Sequence, residues 1–351
     1  MQLTFRWYGP EDPVPLAYIR QIPGVTGVVS ALHERAPGEA WRRDDVRSLR
    51  ETIEAAGLAF AVVESIPVHE EIKLGGHRRD ELIERYARSI AAVGAEGIRV
   101  VCYNFMPVFD WLRTDLAMRL PDGSTTLRFE QDAMDAIDFS DGTGALPGWG
   151  AAYTEEELGA LRAAYAALPE EELWANLAYF LERVVPVAAS NGVRLAIHPD
   201  DPPWQIGLFP RIITSGRALE RVAGLVNSPA NGVTLCTGSL GSDPEEASRL
   251  PEVVHALGSR IHFVHARNVR TVSGRSFHES AHPSGDVDLP AVLDALLEIG
   301  FDGPMRPDHG RMIWGEEGRP GYGLYDRGLG AAYLLGLWHA LSRRAGSARA
   351  R

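Results

Sequence analysis

Apolar residues fall in short, nearly unbroken runs, and after each run apolar positions recur every three or four residues. Eight such runs are present. The first half holds LTFRWY from Leu3, VTGVVSAL from Val25, LAFAVVES from Leu58 and GIRVVCYN from Gly97. The second half adds VRLAIHP from Val193, GVTLCTG from Gly232, RIHFVHAR from Arg260 and DGPMRPD from Asp302. Runs that are apolar along most of their length suit parallel strands covered on both faces. Helical patterns over 44–56, 80–93, 171–190 and 289–299 separate them. Strand then helix, eight times over, predicts an α/β fold of the (β/α)8 TIM-barrel type. A doubly wound sheet would place a Gly-rich phosphate turn after the first strand, whereas WYGPEDPVP is a Pro-rich loop.

One stretch breaks the rhythm. Residues 112–169 hold DGS, DGTG and LPGWG turn sequences and an acidic EEEL helix start, with little strand signal. The expectation is a single barrel domain over 1–351, with 112–169 inserted after strand 4 as a lid or oligomer contact. The tail SRRAGSARAR is polar and basic.

Composition narrows the class without changing the fold. With 47 acidic against 35 basic side chains the net charge is −12, which argues against nucleic acid or an anionic membrane as partner. Two cysteines, Cys102 and Cys236, make no disulfide framework and favour a reducing cytoplasm. MQLTFRWYGP has no secretory pattern, and the longest apolar stretch, near 331–337, is too short to span a bilayer.

The chemistry-bearing residues cluster by position within the runs. His198, Cys236, His265 and Asp308 each stand at or just past the last apolar residue of the fifth to eighth runs, roughly one βα unit apart. A parallel barrel carries those four ends to one rim, where barrel active sites lie. A lone strand-end His or Cys is more often structural. Four consecutive strand ends supplying N, S, N and O donors point instead to a metal site, and that mixture suits Zn2+, Fe2+ or Mn2+ over Mg2+ or Ca2+. Around it lie Arg6, Trp7, His33, Asn104, Arg267, Asn268 and Arg306 as candidate substrate ligands, the arginines suited to gripping a carboxylate. Glu64 and Tyr8 share that rim, and His309 and Tyr322 follow the eighth run. His278 and His282, in the loop after the seventh, read as solvated loop residues.

FRWYG, IPVHEEIKLG, VCYNFMPVFDW, AIHPDDPP, TLCTGSLG, RIHFVHARNV, RPDHGRMIWG and RPGYGLYDR together resemble the mannonate dehydratase family over about residues 3–341. The resemblance implies a xylose-isomerase-like barrel using Mn2+ or Fe2+ that converts D-mannonate to 2-keto-3-deoxy-D-gluconate and water in hexuronate breakdown. It places metal ligands at His198, Cys236, His265 and Asp308, and acid–base candidates at His309 and Tyr322. A small sugar acid is then the partner, and a homodimer the expected assembly. The alternative on this scaffold is a metal-dependent sugar or sugar-acid isomerase or epimerase, against which Cys236 counts because such barrels hold their metal mainly with carboxylates.

Overall fold

The computed structural model describes residues 1–137, 147 and 153–349. Twelve strands occur among them. In chain order β1 is Gln2–Arg6, β2 Val25–Ser30, β3 Ala59–Glu64 and β4 Val100–Tyr103. Next come β5 at Asp115–Arg119, β6 at Thr125–Phe129, β7 at Arg194–Ile197 and β8 at Asn231–Cys236. The last are β9 at Ile261–His265, β10 at Asn268–Ser273, β11 at Ser276–Ser280 and β12 at Pro304–Arg306.

Eight of these strands, one from each apolar run, close a parallel barrel in the order β1-β12-β9-β8-β7-β4-β3-β2. Alternation along each strand divides the apolar residues between two layers. Val29, Val62, Val100, Cys102, Ala196 and Phe263 fill the barrel interior. Val28, Val63, Val101, Leu195 and Ile197 face outward into the larger core beneath the helices. The helix Arg79–Ala95 buries Leu82, Ile83, Tyr86, Ile90 and Val93, a 3–4 spacing that turns one stripe to the sheet. The helix Glu170–Ser190 does the same with Leu173, Trp174, Leu177, Phe180, Leu181 and Val184, and three glutamates in its first turn complement its dipole.

The segment after β4 carries more strand than its sequence suggests. β5 and β6 form an antiparallel hairpin whose turn is the DGS sequence, with Asp122 accepting from Ser124 N–H and Gly123 at φ 86°. Short strands with an exposed or half-exposed face lack the apolar run that marks a barrel strand. The acidic helix start is as expected: Glu155–Ala166 opens with a Thr154–Glu157 capping box. The DGTG (141–144) and LPGWG (146–150) sequences, Pro147 excepted, lie outside the described residues.

A second correction concerns the loop after β9. It folds as the hairpin β10–β11, and β11 pairs with β6, giving a four-stranded antiparallel sheet in the order β10-β11-β6-β5. Phe129, Trp204, Phe209, Val269 and Phe277 give this cap its own apolar cluster at the rim. His282, expected in solvent, is buried against helix residue Gly330, whereas His278 is half-buried.

Candidate active site

Strand register brings the expected ligands together. Cys236 and His265 are the final residues of β8 and β9 and stand directly opposite each other, and His265 stands opposite Arg306. His198 follows β7, and Asp308 follows β12, which ends before Pro307 because proline has no N–H for the ladder. His198 Nε2 lies 3.0 Å from His265 Nδ1, and the ligand atoms of His198, Cys236 and His265 all fall within 4.8 Å of one another. Asp308 Oδ2 is 3.9 Å from Cys236 Sγ and 3.7 Å from His265 Nδ1.

The surroundings fit a cation. His198 Nδ1 faces the Pro199 carbonyl at 2.6 Å, which can only accept, so in the neutral ring Nε2 presents its lone pair. His265 Nε2 faces Glu64 Oε1 at 3.3 Å, so its Nδ1 does likewise. Two lone pairs 3.0 Å apart need a positive charge between them. Edges of 3.0 to 3.9 Å are what donors roughly 2.0–2.3 Å from one ion would show. Burial opposes ionisation of Cys236, yet Arg267 and His198 outweigh it and hold the thiol well below its usual range, as a thiolate ligand requires. Burial disfavours a charged His198 too, but Cys236 and the carboxylates raise it to about 9, a field that favours any cation placed there.

A layer of buried ions surrounds these donors. Arg267 pairs with Asp201 at 2.7 Å, Glu279 at 2.6 Å and Asp308 at 2.9 Å. Arg113, from the segment after β4, pairs with Asp201 at 2.9 Å and Glu279 at 2.6 Å. Arg306 binds Asp308 at 2.7 Å and Glu64 at 3.1 Å. Burial works against the charges of Glu64 and Asp308, but Arg306 first, then His265 and Arg6 for Glu64 and His309 and His265 for Asp308, hold both carboxyls well below the usual range. Glu279 is held below it as well, by Arg267 and Arg113.

His309 and Tyr322 meet beside this layer. His309 Nδ1 lies 3.1 Å from Glu279 Oε1 and its Nε2 lies 2.7 Å from the Tyr322 hydroxyl. Burial, then Tyr8 and Asp308, push the Tyr322 phenol well above its usual range, so it rests protonated. The Tyr8 ring meets Tyr322 edge-on at 5.0 Å and carries the Arg319 guanidinium 4.1 Å from its centre. Arg327, fully buried, clamps the loop by donating to the Tyr322, Gly323 and Arg6 carbonyls.

A cavity of about 750 Å3 opens onto the donors. Arg6, His33, Asn104, Arg306, His198, His265, Asp308, His309 and Tyr322 line it. Cys236 lies beneath it, reaching the cluster from β8. Trp7, Arg267 and Asn268 are outside the lining: Trp7 is in the core, Arg267 is spent on ion pairs, and Asn268 bonds the His282 and Val287 carbonyls. Burial, then the charge of Arg6 and Arg319, lower His33 to about 3, so it faces the cavity neutral.

Sequence reasoning missed Arg113 and Glu279. VRTVSGRSFHES does carry a hairpin signature, a Ser-Gly turn flanked by alternating residues, which would have put Phe277 and Glu279 on one buried face. Nothing local marks Arg113, whose role depends on contacts 88 and 166 residues away.

A closed (β/α)8 barrel with metal-capable donors clustered at one rim defines the fold as a xylose-isomerase-like TIM barrel. Its fold is shared with such a barrel protein from Mycobacterium smegmatis, at TM-score 0.55 and 15% identity over 93% of this chain and 87% of that one. The sequence profile of the D-mannonate dehydratase (UxuA) family matches residues 1–348, and the chain belongs to that family of hydro-lyases. It is 52% identical to the mannonate dehydratase of Streptococcus uberis over 98% of this chain and 100% of that one. The mannonate dehydratase of Thermotoga neapolitana is 50% identical over 98% of each. The crystal structure of mannonate dehydratase from Streptococcus suis serotype 2 superposes at TM-score 0.91, with 46% identity over 99% of this chain and 96% of that one.

Proposed function

We propose that the chain dehydrates D-mannonate to 2-keto-3-deoxy-D-gluconate, a step of hexuronate breakdown, with Mn2+ or Fe2+ bound by His198, Cys236, His265 and Asp308. The observation that carries this reading is a four-donor N/N/S/O cluster sharing one cavity with a hydrogen-bonded His309–Tyr322 pair. A divalent ion bound by those donors supplies Lewis-acid stabilisation of the charge that develops as the C2–H bond breaks. Mn2+ and Fe2+ suit the mixed donors and accept further ligands.

The protein's own groups handle the protons. His309 Nε2 offers the lone pair that takes the C2 proton once the Tyr322 hydroxyl turns from it to the substrate, because Nδ1 is occupied with Glu279. Tyr322, resting as the phenol, gives its proton to the C3 hydroxyl as the C3–O bond breaks and water leaves. The enol then tautomerises to the 2-keto acid. His309 ends with one proton too many and Tyr322 with one too few, and their 2.7 Å hydrogen bond is the route by which the proton returns. Arg6, His33, Asn104 and Arg306 on the cavity wall orient the sugar acid. The isomerase alternative is not favoured by the family match or by the relatives.

Tyr153, Glu157, Ala160 and Leu161 reach the cavity, and Tyr165 bonds Glu70, which supports residues 112–169 as a lid of the single barrel domain. Exposed Trp314, its ring tilted against that of exposed Tyr325, with exposed Leu329 one turn further along the same helix, supports a homodimer, which light scattering would test. Two free cysteines support a reducing cytoplasm, and among the described residues no helix is long and apolar enough to cross a membrane.

The test is to load the protein with Mn2+ and offer a panel of aldonic acids. Formation of the 2-keto-3-deoxy acid from D-mannonate is expected. A ketose or epimer product, or no turnover of D-mannonate, would overturn the reading.

A further inference from the structure

We infer that Glu279, supplied by the cap sheet and not by the barrel, is the positioning residue that fixes the orientation and tautomer of His309 for the dehydration. The inference rests on the role proposed above for His309. Glu279 is fully buried on β11 and absent from the cavity wall, so it acts through another group and not on substrate. Its Oε1 takes three contacts at once: Arg113 Nη2 at 2.6 Å, Arg267 Nη1 at 2.6 Å and His309 Nδ1 at 3.1 Å. Two buried guanidiniums on one oxygen keep it an ionised acceptor that cannot donate. The Nδ1 of His309 must therefore be the N–H, which leaves Nε2 as the acceptor for the Tyr322 hydroxyl at 2.7 Å.

Without that anchor the ring is free to turn. His309 follows Asp308 in a loop beyond the end of β12, so backbone pairing does not hold it. Besides Glu279, its neighbours include Tyr322, the Trp111 ring 5.7 Å away, Asp308 Oδ1 at 3.9 Å from Nε2 and the charge of Asp201, none of which fixes which ring nitrogen carries the proton. A ring flip would point Nδ1 at Tyr322 and set Nε2 against Glu279, misplacing the base. The cap is thereby part of the catalytic apparatus. It reaches Glu279 by pairing β11 with β6, and Thr126 of β6 donates to the Glu279 carbonyl at 2.9 Å.

A purely structural Glu279 would only neutralise Arg113 and Arg267. The two roles separate in Mn2+-loaded Glu279→Asp, which keeps the charge between the arginines but withdraws it by one methylene. We expect kcat to fall on the order of 10–100-fold, with KM within about threefold and one metal per chain as in the parent. In the His309→Asn background the same substitution should lower kcat no further, because Glu279 works through that ring. The inference is overturned by a kcat within about threefold of the parent, by equal losses in both backgrounds, or by loss of metal. Should Glu279→Asp not fold, Glu279→Gln is read the same way; if neither folds, Glu279 is a structural counter-ion and the inference fails. His309→Asn at unchanged kcat would sink the role of His309 itself. A silent Glu279→Asp beside an impaired His309→Asn would leave that role standing.

Discussion

The interior of the barrel and the cap above its rim solve the same packing problem with opposite materials. Below the donors, Val29, Val62, Val100, Cys102, Ala196 and Phe263 meet without a charge among them. Above and beside them, Arg113, Arg267, Asp201 and Glu279 are buried just as deeply and are held by ion pairs of 2.6 to 3.1 Å. Apolar contact is non-directional, so the interior fixes where strands end but not which way a polar group points. Charged pairs have fixed geometry, and the cap can therefore aim an imidazole. On the proposed mechanism the two layers divide the labour: the barrel would deliver the metal donors and the cap would orient the group that moves protons.

The comparison can be broken at four points. Cys236→Ala removes a donor delivered by strand register, and we expect metal content and turnover to vanish together while the fold persists; elemental analysis checks this, and a full metal complement would contradict it. Arg267→Met, in the charged layer, strips Asp201, Glu279 and Asp308 of a shared partner and should destabilise by about 3–5 kcal/mol in denaturant unfolding.

The barrel layer should respond more mildly. His262 is buried on β9, with its Nδ1 on the Leu195 carbonyl at 2.8 Å, and burial lowers it to about 4. The unfolded chain then takes up that proton first, at about pH 6.5, so stability is full above 6.5 and declines as pH falls towards 4. At pH 5 the loss should be on the order of 1–2 kcal/mol, and His262→Gln should flatten that part of the curve. Cys102→Ala, in the interior, should lower stability by only ~1–2 kcal/mol with metal content unchanged.

The same division explains what could be read from the sequence. The barrel strands are legible because burial on both faces writes each as a continuous apolar run, and the meeting of the four proposed donors because each closes such a run. β5 and β6 were not, since strands of five residues with one face half-exposed carry a weaker pattern. Glu279 needed more still: its place depends on β11 pairing with β6, with Phe277 opposite Phe129, across 148 residues of chain. Residue type marks the arginines as candidate substrate ligands, and the structure shows why type alone misleads: Arg267 is committed to three carboxylates.

The central claim is that holding the metal and moving the proton belong to adjacent residues, Asp308 and His309, with separate partners. Metal content and kcat measured together on His309→Asn test it most directly. The account predicts a full complement of metal with kcat reduced by ~10²-fold or more. Metal lost in step with activity would place His309 in the coordination shell and contradict it.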